Sequence, residues 1–208
     1  MDSILVIGGG GHAKVLISVL KKLGFEVKGY TDRQDKGTIL GIPYLGKDDI
    51  LRGKIGTAPR PKVAMGIGKV GIVGLRAELQ KEFEALGWEF PPILSPTATI
   101  NEEVQVGFGT VVFDHVVINP GTFIGNTCII NTSCTVEHDC NIGHNVHIAP
   151  GATLSGGVKV GDNCLIGTGA NVIQSISICA DCLIGSGATV VSDIEVPGTY
   201  VGSPARMI

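Results

Sequence analysis

The stretch VEHDCNIGHNVHIAPGA, residues 136–152, contains three of the five histidines of the chain. Carboxylates flank the first of these histidines, since Glu137 precedes His138 and Asp139 follows it. Imidazole and carboxylate groups at this spacing could ligate a metal ion, form an acid/base pair or simply face solvent. The short motif does not distinguish these possibilities, whereas the periodicity of the surrounding chain does.

The second half of the chain is a hexapeptide repeat. From Ile100 to Val196 an aliphatic residue occupies every sixth position, and small or apolar residues, including most of the cysteines, follow at a fixed offset. Glycine follows the aliphatic residue at 107, 125, 143 and 161, so that three hexapeptides form one unit of eighteen residues. This pattern predicts a parallel β-helix of triangular cross-section, whose stacked coils bury a continuous core. Five of the six cysteines, all except Cys179, are then predicted to be core residues rather than disulfide partners or zinc ligands.

Alignment of the coils at eighteen residues places each histidine in a column. His138 lies between Pro120 and Gly156, which leaves its imidazole uncrowded, and His144 lies in a mostly polar column that favours a solvated surface role. Because the three histidines fall on different columns, convergence on one metal ion is disfavoured, and we predict no metal site. An acid/base role for His138 is favoured instead: imidazole titrates near neutral pH, and a neighbouring carboxylate would orient the ring and stabilise its cation.

The column of His147 is otherwise apolar and is predicted to face outward. Its other members are Val111, Ile129, Leu165 and Leu183. An exterior apolar stripe requires a partner surface, and we expect a second subunit to cover it. A hydrogen bond within such an interface is an alternative role for His147.

The first part of the chain predicts a small βαβαβ unit. ILVIGGGGHAKVLISVLKKLG reads as a buried strand, a glycine turn and a helix; FEVKGYTD and KVAMGIG supply further strands, and GLRAELQKEFEALG a second helix. We therefore predict a Rossmann-like α/β domain over residues 1–92, followed by a β-helix over residues 93–208.

The glycine turn fits a nucleotide-binding fingerprint. Gly8, Gly10 and Ala13 match G-x-G-x-x-[GA], and Asp32 follows about twenty residues later. The unit lacks the second half that would hold a nicotinamide, so a nucleoside diphosphate at the helix N-terminus fits better than a dinucleotide. A tight turn without a ligand remains an alternative.

Charge is distributed unevenly along the chain. Residues 1–95 carry fourteen Lys or Arg and ten Asp or Glu, whereas residues 96–208 carry two and nine, a net charge of −7. The acidic second half argues against nucleic acid as a partner. The N-terminus lacks a basic signal region, and no segment approaches the ~18 apolar residues of a membrane span, so we expect a cytoplasmic protein without a membrane partner.

The repeat resembles the left-handed hexapeptide-repeat acyltransferases. GGGGHAK in front of such a β-helix with EHDCNIG resembles, over the whole chain, the sugar acetyltransferases that include the bacillosamine-pathway and perosamine N-acetyltransferases and the sialic-acid O-acetyltransferase-like proteins. The resemblance implies direct transfer of an acetyl group from acetyl-CoA to the amine of a nucleotide-linked amino sugar. It also implies a homotrimer with active sites between subunits. Acetylation of a sugar hydroxyl is the alternative activity.

The resemblance also implies roles for particular residues. His138 corresponds to the base and Asp139 to its orienting carboxylate, where many relatives have Glu; Glu137 could share that role. His147 is implied near the pantetheine arm of acetyl-CoA, and the backbone around three further positions in the cofactor groove: Gly156, Thr168 and Ser186. Nucleotide-sugar contacts are implied at Gly10, Gly11, His12, Asp32, Arg33 and Gly68, with Arg33 standing where relatives often have an acid.

Two functions of other classes remain open on the sequence. The glycine fingerprint would suit a nucleotide-binding oxidoreductase, but no catalytic domain other than the β-helix is evident. A non-catalytic scaffold would suit the repeat, but a scaffold has no need for an acid-flanked histidine in a column of small residues.

Overall fold

The N-terminal region of the computed structural model, which describes residues 2–53, 62–71 and 74–208, is a parallel sheet with flanking helices. The sheet has the strand order β3-β2-β1-β4. Its strands are β1 (Ser3–Ile7), β2 (Glu26–Thr31), β3 (Tyr44–Gly46) and β4 (Lys62–Met65). The helices are α1 (Gly11–Lys22), a 3₁₀ turn (Asp48–Leu51) and α2 (Leu75–Ala85).

The C-terminal region is a parallel β-helix built of very short strands. Strands pair in parallel with partners eighteen residues away, as in Val111 with Ile129 and Ile129 with His147. The pairing forms three sheets, one for each face of the triangle.

The strands of the three faces are as follows. The first face contains β5 (Ile93–Leu94), β8 (Val111–Val112), β11 (Ile129–Ile130), β14 (His147–Ile148), β17 (Leu165–Ile166), β20 (Leu183–Ile184), β22 (Thr199–Val201) and β23 (Arg206–Met207). The second contains β6 (Thr99–Ile100), β9 (Val117–Ile118), β12 (Thr135–Val136), β15 (Thr153–Leu154), β18 (Asn171–Val172) and β21 (Thr189–Val190). The third contains β7 (Gln105–Val106), β10 (Phe123–Ile124), β13 (Asn141–Ile142), β16 (Lys159–Val160) and β19 (Ser177–Ile178).

The interior of the β-helix is filled by the repeating aliphatic residues and by cysteines. The aliphatic residues at every sixth position from Ile118 to Val190 are all buried. All six cysteines are free thiols, and burial raises the pKa of the Cys134 thiol to about 12. The buried cysteines are Cys128, Cys134, Cys140, Cys164 and Cys182. The predicted fold class, a Rossmann-like domain followed by a hexapeptide β-helix, is confirmed.

The repeat register ends earlier than the sequence suggested. Leu183 pairs with Thr199 and Ile178 bridges Ile194, so the last coil is two residues shorter than the others. As a result Ile194 takes the inward position, with 6% exposure, and Val196 is 56% exposed. The expectation that Val196 continues the core was therefore wrong.

The apolar column on the first face is partly covered by the N-terminal domain of the same chain. Val111 and Ile129 are each 1% exposed and belong to one cluster with Leu16, Ile17 and Leu20 of α1. The expectation that a second subunit covers this column was wrong for these two residues. Leu165 and Leu183, farther along the column, are half-buried in the single chain.

Arg76 connects the two domains through hydrogen bonds from its guanidinium. Its guanidinium is 2% exposed and donates hydrogen bonds to the carbonyls of Met65 (2.7 Å) and Ile67 (2.8 Å) in its own domain. It also donates to the carbonyls of Thr127 (3.1 Å) and Gly109 (3.2 Å) in the β-helix. Since a buried cation is tolerated only when its donors are satisfied, these bonds fix α2 against the coils.

Within the part of the chain that the structure describes, no helix is long and apolar enough to cross a membrane.

A charge at Ile129 tests whether the N-terminal domain of the same chain, rather than a second subunit, covers the apolar column. We expect Ile129→Asp to lower the free energy of unfolding by roughly 3 kcal/mol or more, because the carboxylate would be buried without a partner between the domains. Thermal melting and sedimentation of the same samples measure the effect. Leu183→Asp, at a half-buried position of the same column, is the control and should cost less stability. An Ile129→Asp chain with an unchanged melting temperature would contradict this account.

Candidate active site

His138 lies at a corner of the β-helix, between strands β12 and β13. The next residue, Asp139, adopts a left-handed backbone conformation with φ of 58°. Its amide donates to the carbonyl of Pro120 (3.0 Å) in the coil below, and the carbonyl of His138 accepts from Gly157 (2.9 Å) in the coil above. The corner is therefore held by its neighbours on both sides.

The imidazole of His138 has the geometry of a general base. Its Nδ1 is 2.8 Å from Oδ2 of Asp139, and donation of the Nδ1 hydrogen to this carboxylate leaves the lone pair on Nε2. Nε2 faces Gly156, where an added Cβ would lie only 2.5 Å away, so the absence of a side chain there makes room for the ring. Both members of the pair are open to solvent in the single chain, with side-chain exposures of 63% and 73%.

Glu137 is not a second partner of this histidine. One oxygen of its carboxylate accepts a hydrogen bond from Nδ2 of Asn119 (2.7 Å), whose own oxygen accepts from Asn101 (2.8 Å). This ladder runs along a neighbouring column of the β-helix. Asp139 is the carboxylate that reaches the ring.

His144 belongs to a polar ladder on the surface. Its Nδ1 accepts a hydrogen bond from the amide of Asn126 (2.9 Å), and its own amide donates to Asp162 (2.7 Å). The exposed ring agrees with the solvated role expected from its column.

His147 lies where the two domains meet. Its Nδ1 hydrogen is donated to the carbonyl of Lys69 (2.9 Å), and Nε2 accepts from the side-chain amide of Asn131 (3.1 Å). Burial lowers the pKa of this imidazole to about 4, so the ring is neutral at physiological pH. Both ring nitrogens are thus engaged within the chain.

The other positions implied for the cofactor lie at two corners. Gly156 belongs to the corner of His138, whereas Thr168 and Ser186 are exposed and stack at a different corner. There the carbonyl of Thr168 accepts from the amide of Gly187 (2.9 Å). Within one chain Gly156 therefore lies next to His138, whereas Thr168 and Ser186 do not.

The glycine turn forms a groove at the carboxyl ends of the parallel strands. A cavity of ≈ 390 Å³ is lined by Gly8, Gly9, Gly10, Gly11, His12, Asp32, Gly66, Ile67, Gly68 and Val70. Gly10 is the N-cap of α1, whose first-turn amides point toward this space, and an added Cβ at Gly10 or Gly11 would meet nothing within 4 Å. A helix N-terminus with open backbone is suited to binding phosphate groups.

Asp32 fixes the turn from the end of β2. Oδ2 of its carboxylate accepts from the amide of Gly9 (2.7 Å) and Oδ1 from the amide of Gln34 (3.0 Å). A second cavity of ≈ 390 Å³ shares Gly8 and Asp32 with the groove and adds Arg33, Lys47 and other charged side chains. The predicted nucleotide-contact residues therefore do converge on one region.

His12 connects this region to the β-helix. Its ring packs edge-on against Phe113 with centroids 5.2 Å apart, and burial lowers its pKa to about 3. Among the described residues, no hydrogen-bond partner reaches its buried Nε2. Its side chain thus belongs to the domain boundary as well as to the lining of the groove.

Lys69 and Arg76 were missed by the sequence analysis. Lys69 is 4% exposed and inserts its ammonium among backbone carbonyls of the β-helix. Arg76 had a usable signal, because Arg76, Gln80 and Phe83 share one face of α2 and all three are buried. Lys69, in a short segment between glycines without periodicity, offered no comparable signal.

Metal binding finds no support in the geometry of residues 2–53, 62–71 and 74–208. Within these ranges no group of three or more His, Cys, Asp or Glu side chains is placed to hold a metal ion.

A carboxylate-paired histidine on a hexapeptide β-helix, behind a Rossmann-like front domain with a glycine groove, is the arrangement of an acyltransferase. Residues 3–81 match the family model described as the PglD N-terminal domain. No curated protein sequence gave a match. Similarity to solved structures, however, covers the whole chain.

Three solved structures illustrate this similarity. PerB from Caulobacter crescentus, in complex with CoA and GDP-perosamine, is 33% identical with a TM-score of 0.90, over 100% of this chain and 98% of that one. The acetyltransferase domain of PglB from Neisseria gonorrhoeae, in complex with acetyl coenzyme A, is 31% identical with a TM-score of 0.89, over 100% and 99%. WeeI from Acinetobacter baumannii is 27% identical with a TM-score of 0.88, over 100% of both chains. The chain belongs to the bacillosamine/perosamine N-acetyltransferase family.

The buried histidines predict acid sensitivity. Because the pKa of His12 is lowered to about 3 and that of His147 to about 4, from an ordinary 6.5, the unfolded chain binds these protons first as the pH falls. Their neutral forms contribute stability that is complete above about pH 6.5 and is lost as the pH falls toward 4. We expect the melting temperature to decrease over this window, with a shallower decrease in His147→Gln and an unchanged slope in His144→Gln. A melting temperature independent of pH across the window would refute this.

Proposed function

We propose that the protein transfers an acetyl group from acetyl-CoA to the amine of a nucleotide-linked amino sugar. The observation that carries this proposal is the His138–Asp139 pair, in which Nε2 of His138 faces the space left by Gly156. Relatives that match the whole chain include a structure with CoA and GDP-perosamine and one with acetyl coenzyme A, which supports both substrate classes.

In the proposed mechanism the sugar amine attacks the carbonyl carbon of the thioester. Nε2 of His138 accepts the proton that the nitrogen loses, while Asp139 holds the ring and stabilises the imidazolium through Nδ1. The bond between the carbonyl carbon and sulfur breaks, and the CoA thiolate then takes up a proton. No core cysteine takes part as a nucleophile, since these thiols are buried and the pKa values of Cys128 and Cys134 are raised to about 11 and 12.

The nucleotide sugar is proposed to bind in the glycine groove. Amides at the start of α1, around Gly10 and Gly11, would face the diphosphate, and Asp32 would hold the turn through its bond to Gly9 (2.7 Å). His12 and Gly68 would line the same groove. Arg33, in the adjoining charged cavity, would lie near the nucleoside.

Acetyl-CoA is proposed to bind along the β-helix, between subunits of a cytoplasmic homotrimer. His147, Gly156, Thr168 and Ser186 are the proposed cofactor contacts. Support comes from the exposure of the His138 and Asp139 side chains in the single chain, 63% and 73%. The two functions would then divide near residue 92, with nucleotide binding in 1–92 and acetyl transfer in 93–208.

A substrate panel tests the function directly. We expect CoA thiol release from acetyl-CoA with at least one UDP-, GDP- or dTDP-linked amino sugar, and mass spectrometry of the product should show an amide. The matching sugar with a hydroxyl in place of the amine is the control and should be inert. Acetylation of the hydroxyl sugar alone would instead identify an O-acetyltransferase. If neither the amino sugars nor the hydroxyl sugar caused thiol release, acetyl transfer would be rejected.

The role of His138 has its own test. We expect His138→Ala to lower kcat by roughly 10²–10⁴-fold with little change in melting temperature, because the exposed ring acts as a base and not as a core residue. Asp139→Asn should cost less, since the imidazole remains but loses charge support. Gly156→Ala should also lower kcat, because its Cβ would displace Nε2.

Two controls accompany this series. His144→Ala, in the neighbouring surface ladder, and Gly53→Ala, where an added Cβ meets nothing within 4 Å, should both retain turnover. A folded His138→Ala chain with near-normal kcat would remove this residue from the mechanism.

A further inference from the structure

The segment 66–70 runs between the glycine groove and the β-helix. Gly66, Ile67 and Gly68 line the groove after strand β4, and Val70 lines it again with 93% exposure. Between them, Lys69 turns its side chain away from the groove and into the β-helix. This one short segment therefore belongs to both domains.

The ammonium of Lys69 is bound by backbone carbonyls of two successive coils. Its Nζ donates to the carbonyls of Asn145 and Asn163, the latter at 2.7 Å, and the carbonyl of Cys164 lies at 3.4 Å. Burial of a cation is costly, so a residue that is 4% exposed is held there by these three acceptors. The number of acceptors equals the number of donors that an ammonium carries.

The backbone of the same segment contacts both histidines of the domain boundary. The carbonyl of Lys69 accepts the Nδ1 hydrogen of His147 (2.9 Å). An added Cβ at Gly68 would lie 3.3 Å from Cβ of His12, so that these two residues are in close contact. A displacement of the segment would therefore change the groove, His12 and His147 together.

We propose that Lys69 is a positioning residue, whose ammonium pins segment 66–70 to the β-helix and so holds the glycine groove in the shape that binds a nucleoside diphosphate. The proposal rests on the assignment of this groove to a nucleotide sugar. Nucleotide affinity is then set in part by a side chain that does not touch the nucleotide. Because the backbone carbonyl of Lys69 accepts the Nδ1 hydrogen of His147, the anchored segment also fixes the tautomer of that ring.

Deprotonation of Lys69 is a second way to release the anchor. Burial lowers the pKa of its ammonium to about 8, and the neutral amine donates two hydrogen bonds instead of three. The neutral His147 ring is also adjacent. The titratable and charged groups that face the ammonium are Cys128, Cys164 and Asp181, which raise its pKa, and Arg76, which lowers it.

The experiment measures calorimetric dissociation constants of the full-length chain for UDP, GDP and dTDP, which lack the substrate amine. For the nucleotide that the unaltered chain binds, we expect Lys69→Met to weaken affinity by roughly tenfold, since unpaired carbonyls would release the segment. Lys22→Met is the matched control. It removes another contact between the domains, a 2.6 Å ion pair with Asp114 far from the groove, and should change affinity by less than about twofold.

A pH series on the unaltered chain provides an independent readout. Affinity for the same nucleotide should fall as the pH rises through about 8. This fall should be absent in Lys69→Met. The curve of the variant also serves as the control for ionisation of the nucleotide base, which affects both chains. If Lys69→Met does not fold, the series on the unaltered chain decides alone. Equal affinities together with no such fall would overturn the role of Lys69 but leave the proposed function standing. Failure of the unaltered chain to bind any of the three nucleotides would overturn both.

Discussion

The eighteen-residue register of the β-helix is the constraint on which the rest of the structure depends. Each coil bonds to the next through parallel backbone pairs, so a residue such as His147 has its neighbours Ile129 and Leu165 fixed above and below it. The same register aligns His138 with Gly156, which has no side chain to fill the space beside Nε2. A reactive group at a corner is thereby positioned by stacking, without a long loop to order.

Much of the β-helix could be predicted from the sequence, because the requirement for an apolar residue facing the core recurs in every hexapeptide. The inward aliphatic residues and the buried cysteines follow from one periodic pattern, whereas the pairing of His138 with Asp139 was indicated by the flanking carboxylates and by the family resemblance. The failures occur where the pattern does not specify a partner. Ile129 faces outward and needs a cover, but only the docked α1 reveals that the cover comes from the same chain.

The end of the repeat was mispredicted for a related reason. Val196 preserves the six-residue spacing, yet the chain closes its last coil with two residues fewer, and the carboxylate of Asp193 accepts from the amide of Ser177 (2.8 Å). In the regular coils the acceptor for the corresponding amide is a backbone carbonyl of the next coil, whereas here it is a side-chain carboxylate. Spacing alone cannot register such an exchange, because it depends on one hydrogen bond.

Two of the basic residues of the first domain lie buried at the domain boundary. The β-helix has only Lys159 and Arg206 as its own basic residues, while its corners present backbone carbonyls that need donors. The first domain supplies these donors as buried cations, Lys69 and Arg76, which bind carbonyls of the coils. Carbonyls are neutral acceptors and do not cancel the charge of Arg76, whose guanidinium also donates to the carbonyl of Ile67 in the lining of the groove. The contacts that join the domains would therefore also favour an anionic ligand in the groove, as a nucleoside diphosphate would be.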